Sequence, residues 1–398
     1  MAEPHNQLMN ALNKTRRIIV EYIGVAIILV VLFITWYYRR QINKKENNDT
    51  AMEAIYNQST FFPQISSIRK GDARFDLNVD KGIGKVRDYY IASSYNSCCG
   101  GDFQDDYVSL KPLKEVIFHG ARVLDFEIYS VNDDLVVAAS GSASPYLKGT
   151  YNSIPLGGDD GVFNTIKTHA FSNGTCPNPE DPLFIHLRIK TNVDHYDKLT
   201  SYVQKHFAGH NLDASWGYEG RSDAPGGGKN IANEPLLTFA GDNSTGKKAK
   251  VIIICDQANK NYRGTSFEEL INLSGDSAYL HEYRNKDIQY TQFPKALEEF
   301  NKNNLSLTMP DLTSLNNNVS PNLHFSYGCQ MVCMNYQNMD SNMKFYFKKF
   351  NESGNAFILK PENLRALAPP KLTIPNKPPK ELSYAPKKID LPMYKTNI

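Results

Sequence analysis

The stretch Ile18–Tyr38, IIVEYIGVAIILVVLFITWYY, is apolar except for Glu21 and gathers Trp36, Tyr37 and Tyr38 at one end. As a helix rising ~1.5 Å per residue it spans the ~30 Å hydrocarbon core of a bilayer. The aromatic cluster suits the interface, where ring and polar tip meet different solvents. A cleaved signal peptide fits less well: the run is too long for an h-region, and YYRRQINKK stands where a small-residue cleavage site would be. The chain is therefore expected to be a single-pass membrane protein. Lys14, Arg16 and Arg17 precede the span, and Arg39, Arg40, Lys44 and Lys45 follow it. That one-charge margin leans toward a cytosolic C-terminal bulk without deciding the side.

The remaining length allows a large single core. A net charge of +2, from Lys+Arg 44 against Asp+Glu 42, lacks the basic excess of a phosphate-binding surface, so nucleic acid is not expected as a partner. Six cysteines show no zinc spacing, and buried free thiols are expected.

Short apolar strands alternate with helical stretches from about Val86. DYYIASS, ARVLDFEIY, DLVVAAS, PLFIHLRIK and KVIIICD read as strands. SLKPLKEVIFHG, GVFNTIKTHAF and DHYDKLTSYVQKHF read as helices. Such alternation implies a parallel sheet with helices outside it. The pattern weakens between Gln257 and Thr308 and resumes at GCQMVCMNYQ and NAFILKPENLR. The last thirty-odd residues are rich in Pro and Lys and read as an extended tail.

Two blocks resemble one family. YIASSYNS, GARVLDFEIY, HAF and PLFIHLRIK, in that order, resemble the X region of eukaryotic phosphoinositide-specific phospholipase C. GCQMVCMNYQNMDSNM followed by GNAFILKPENLR resembles its Y region. The resemblance covers roughly Asp88 to Arg365. It implies a distorted TIM-type (β/α)8 barrel of the phospholipase C-like phosphodiesterase kind, with its active site at the C-terminal ends of the strands. The expected organisation is an N-terminal tail (1–17), a transmembrane helix (18–38), a stalk and lead-in segment (39–85), and an X-like half-barrel (86–257). A linker (258–292), a Y-like half-barrel (293–366) and the Pro/Lys-rich tail (367–398) complete it.

The family cleaves a phosphodiester with two histidines and a calcium ion held by oxygen ligands. Its Ser-Ser-His-Asn motif reads Ser93-Ser94-Tyr95-Asn96 here, so Tyr95 stands at the first histidine. A phenol titrating near pH ~10 is a poor acid or base at neutrality. The second histidine falls on Ala139 or Ser140. Of the implied calcium ligands, Asn96 is kept, and Asp125 and Glu127 keep the acidic pair on one strand face. The remaining ligand falls on Arg188, which brings no oxygen and is expected to pair with Asp125 or Glu127 instead. Any calcium site is therefore expected to be weak or absent. The family's Lys-x-Lys falls on Cys255-Asp256-Gln257, and its phosphate-reading arginine on Ser314. His186, two residues before Arg188, is expected to be a satisfied core histidine.

Losing one catalytic acid costs ~10²–10⁴ in rate, and here both are replaced. The sequence thus points to a membrane-tethered pseudoenzyme whose altered rim binds a lipid headgroup or a protein. Two rivals remain: an active phosphoric diester hydrolase on a non-standard substrate, and a structural component of a membrane-bound assembly, for instance a viral one.

Overall fold

A computed structural model of the chain describes residues 3–57, 63–69, 71–75, 84–142, 147–219, 228–256, 261–313, 315–366 and 386–397. It opens with one continuous helix, α1 (Glu3–Tyr56), which contains the apolar run and is long and apolar enough to cross a membrane. The stretch expected as a stalk is helical to Tyr56. Met52 and Tyr56 are buried, and the Tyr56 hydroxyl donates to the Tyr336 carbonyl. Two buried apolar side chains and the partly buried Ile55 anchor that last part, so its hydrophobic periodicity is faint in the sequence.

The barrel follows. In chain order it comprises β1 (Tyr89–Ser94), α2 (Leu110–Phe118), β2 (Val123–Val131), β3 (Asp134–Ala138), β4 (Ile154–Pro155), α3 (Val162–His169), β5 (Leu183–Ile189) and α4 (Tyr196–His206). Then come β6 (Val251–Cys255), β7 (Leu273–Ser274), β8 (Asp276–Ser277), β9 (Leu280–Arg284), α5 (Asn285–Gln289), α6 (Pro294–Asn303) and β10 (Leu305–Met309). The last elements are α7 (Pro321–Ser326), β11 (Met331–Met334), α8 (Ser341–Ser353) and β12 (Phe357–Leu359). The ladder β7-β6-β5-β2-β1-β11-β10-β9 is parallel throughout, as a barrel with both faces covered requires. Its ends meet where the Glu282 amide donates to the Gly275 carbonyl at 3.3 Å.

The barrel departs from the expected organisation in two places. DLVVAAS is not a parallel strand: β3 pairs antiparallel to β2, joined by a two-residue turn in which Asn132 and Asp133 have φ of 51° and 62°. That left-handed pair is the signature of a type I′ hairpin, and Asn and Asp tolerate it better than other non-glycine residues. Within the expected linker, β9 stands in register with β10 from Leu280↔Leu305 to Met309↔Arg284, so the barrel wall begins there. Polar side chains in LHEYR hid that strand.

Gly120 closes α2 at φ +82°, and a Cβ there would come within 3.0 Å of Ile65. Asp340 caps α8 by accepting from the Met343 amide, and Gly354 ends it at φ +71°. The barrel floor is tied by Arg122, fully buried, which donates to the Ala170 carbonyl (3.1 Å), Cys176 Sγ (2.7 Å) and Asn178 Oδ1 (2.9 Å). Asp181 beside it accepts from the Ile68 amide at 2.7 Å and from Asn178 Nδ2 at 2.8 Å. Residues 367–398 form a separate unit, in which β13 (Lys388–Leu391) and β14 (Tyr394–Asn397) pair as an antiparallel hairpin within the stretch expected to be an extended tail.

Candidate functional site

The C-terminal ends of β1, β2, β5, β6 and β9 converge on a charged cluster at the barrel mouth. Alternation along β2 turns Asp125 and Glu127 to the interior, and on β5 it does the same for His186 and Arg188. The β2–β5 register places Asp125 beside His186 and Glu127 beside Arg188. Asn96, just past β1, has φ +43°; its amide donates to Asp125 Oδ2 at 2.8 Å, which holds the turn.

Arg188 is the centre of this cluster. Its Nε donates to Asp125 Oδ1 at 2.9 Å, and one terminal nitrogen donates to Asp125 Oδ2 (2.6 Å) and Asn96 Oδ1 (2.8 Å). The other donates to Glu127 Oε1 (2.8 Å) and the Tyr95 hydroxyl (3.3 Å). All five guanidinium N–H donors are thereby matched. The guanidinium carbon also lies 4.6 Å from the Tyr95 ring centroid, within cation–π range. The three side chains whose types suit calcium therefore converge on one guanidinium. Glu127 is further held by Lys190 at 3.0 Å and by the Tyr129 hydroxyl at 2.6 Å.

Burial penalises every charge here, and the partners decide which forms survive. Burial is the largest single influence and would raise Asp125 and Glu127, but Arg188 together with His186 at Asp125, and Arg188 together with Lys190 and Tyr129 at Glu127, outweigh it. Both carboxyls are held below their usual range. His186 touches Asp125 Oδ1 through Nδ1 (2.8 Å) and Glu282 Oε1 through Nε2 (3.0 Å). Burial opposes its charge, yet the two carboxylates carry it up to about 9, so it is an imidazolium with both protons engaged. Burial pushes the Tyr95 phenol up, only partly offset by Arg188 and Arg284. Its hydroxyl accepts from Arg284 at 3.2 Å, and its ring meets Phe103 edge-on.

Above the cluster lies a cavity of about 230 Å³, walled by Lys190, Arg284 and Arg188 on the cationic side and by Asp256, Glu282 and Asp287 on the acidic side. Asp256 follows directly on β6; burial and the neighbouring Glu282 raise its carboxyl to about 7. Ala139 and Ser140 are buried beside Glu127 and its partner Tyr129, and offer no titratable group near neutrality. Cys255 is buried with its thiol pushed up by burial. Gln257 and Ser314 lie outside the described residues.

Glu282, Lys190 and Arg284 belong to the site without having been singled out from sequence. Glu282 sits in the strand LHEYR, where Leu280 and Glu282 are buried and His281 is more exposed, but the sequence carries no apolar alternation to mark it.

Residues 253–363 match the family profile described as phosphatidylinositol-specific phospholipase C, Y domain. The fold is similar to the crystal structure of L. pealei PLC21, at 18% identity and a TM-score of 0.56, over 71% of this chain and 38% of that one. It is similar also to S. officinalis PLC21, at 16% identity and a TM-score of 0.53, over 74% of this chain and 40% of that one. This chain thus spans about two fifths of the length of each.

Proposed function

We propose that this chain, a barrel of the phosphoinositide-specific phospholipase C X/Y type, is a membrane-anchored module that binds or scaffolds at its mouth and does not cleave phosphoinositides. The observation that carries this reading is Arg188, whose five donors engage Asn96, Asp125, Glu127 and Tyr95 at once. Calcium takes six to eight oxygens at ~2.3–2.6 Å. A divalent ion among these oxygens would lie against a guanidinium, so the donors do not fit calcium while Arg188 stays. A fixed, buried ion pair replaces an exchangeable metal.

The acid–base side supports the same reading. Tyr95 keeps its proton at any physiological pH, and both nitrogens of His186 are already engaged, by Asp125 and Glu282. The positions that match the family's headgroup-reading Lys-x-Lys carry Cys255 and Gln257 instead, with Asp256 between them. A polyphosphorylated inositol would meet uncharged side chains at both positions where the resemblance implies a cation.

One observation favours a second reading, an active phosphoric diester hydrolase on a non-standard diester: Asp256, raised to about 7, is a proton donor near neutrality on the cavity wall. The experiment that separates the two is calcium binding and diesterase turnover on phosphatidylinositol and its phosphorylated forms. The wild-type chain runs beside Tyr95→His/Arg188→Glu and Asp256→Asn. The pseudoenzyme reading expects no calcium-dependent product from wild type and measurable calcium binding only in the double variant. Turnover by wild type that Asp256→Asn abolishes would establish the second reading.

A further inference from the structure

The direction in which α1 docks on the barrel bears on what the mouth can meet. Gln41 accepts from the Tyr107 hydroxyl at 3.0 Å, and Lys44 pairs with Asp106 at 3.4 Å, both in the loop that leaves the C-terminal end of β1. Asp49 then accepts from Ser109, just before α2, at 2.8 Å, and Glu53 pairs with Lys111 in its first turn. Tyr56 reaches His119 at the far end of α2, with ring centroids 4.3 Å apart. These contacts advance together along both helices, so α1 runs parallel to α2, from the mouth toward the floor. The apolar run that precedes Gln41 therefore continues beyond the mouth. Tyr37, near its end, interacts with Tyr107 and Tyr151, which belong to the mouth loops.

A second feature is independent of α1. Outside that helix and the C-terminal unit, the exposed large apolar side chains among the described residues all lie on the mouth side. Leu147 and Tyr151 follow β3, Tyr290 and Phe293 follow α5, Leu312 and Leu315 follow β10, and Phe345 is in the first half of α8. None lies in the segments that enter the strands from the floor. Scattered apolar surface needs no explanation, but apolar surface confined to one end of a barrel does.

We infer that the last part of α1 is a strut that seats the barrel mouth on the same bilayer that α1 crosses, so that the mouth cavity faces lipid headgroups of that leaflet. Between Tyr38, which closes the apolar run, and Gln41, which is already docked, the helix advances only ~5 Å, leaving no slack for the barrel to turn away. The inference rests on the reading of α1 as membrane-spanning.

The test uses the full chain in phosphatidylcholine vesicles doped with nitroxide-bearing lipid. A single cysteine carrying an environment-sensitive fluorophore is placed at Leu147→Cys or Leu312→Cys on the mouth, or at Ser244→Cys before β6 on the floor. All six native cysteines are buried, so labelling is confined to the introduced thiol. The expected result is severalfold stronger quenching at positions 147 and 312 than at 244. Inserting a flexible Gly-Ser segment between Arg40 and Gln41 should shrink that difference. Equal quenching on both faces, in a chain that resists alkaline extraction, overturns the seating while leaving the anchor intact. Release of the chain by alkaline extraction overturns both. A difference that survives the insertion overturns the role of the helix as strut.

Discussion

Among the described residues two arginines are buried in this barrel, at opposite ends, and they are partnered differently. At the floor, Arg122 donates to carbonyls, an amide oxygen and a thiol, and the one acid beside it, Asp181, is raised by burial to about 6 with Arg122 only partly offsetting that rise. At the mouth, Arg188 lies between two carboxylates that it keeps ionised. The floor arginine ties loops together through neutral acceptors and could give way to other hydrogen-bond donors. The mouth arginine is a charge answering charges, and only a cation can take its place. A buried ion pair is weak evidence for stability as such, but removing one partner leaves an uncompensated charge.

That contrast sets an order of effects. Arg188→Ala should be the most damaging, at about 3–5 kcal/mol in urea unfolding, because Asp125 and Glu127 are left facing each other in a dry interior. Millimolar calcium should recover part of that loss in the variant and none in wild type; recovery in both would mean that the ring already accepts a metal. Next in size is the charge on His186. Its folded pKa of about 9 exceeds the ordinary ~6.5, so its contribution of about 3 kcal/mol is fully present below pH ~6.5 and fades as pH rises through about 9. The unfolding midpoint of wild type should fall over that window, and that of His186→Gln should not. Parallel curves for the two proteins would show that the imidazole is neutral in the fold.

Arg122→Met should cost less, about 1–3 kcal/mol, since the acceptors it orphans are neutral and Asp181, whose carboxyl already lies at about 6, can take up a proton instead of remaining charged. A loss equal to that of Arg188→Ala would erase the distinction between the two ends. The smallest effect is expected for Tyr95→Phe, about 1 kcal/mol or less, because its hydroxyl accepts two long bonds at 3.2 and 3.3 Å and the ring remains over the guanidinium. A much larger loss would assign the phenol a role that its geometry does not suggest.

The mouth was more legible in sequence than its surroundings. Asp125, Glu127, His186 and Arg188 sit on two strongly apolar strands whose alternation assigns their direction once the strands are identified. What escaped were groups on weakly patterned segments: Glu282 and Arg284 on a short polar strand, Lys190 past a strand end, and the docked part of α1. Those positions are set by tertiary pairing, which no local pattern encodes. The hairpin return of β3 escaped for a related reason. The turn Asn132-Asp133 can be read from sequence, but strand–helix alternation on either side of it favoured a crossover instead.

The register that sets Asp125 beside His186 and Glu127 beside Arg188 also constrains how this site can change. A glutamate alone at position 188 would join Asp125, Glu127 and Glu282, gathering four carboxylates near one imidazolium in a closed space, and a histidine alone at position 95 would meet the guanidinium head-on. Each single step toward a metal-binding mouth is expected to fold worse than either endpoint, so the arrangement works as a latch in both directions. Only paired substitutions, or a substitution made with the metal already at hand, can cross it.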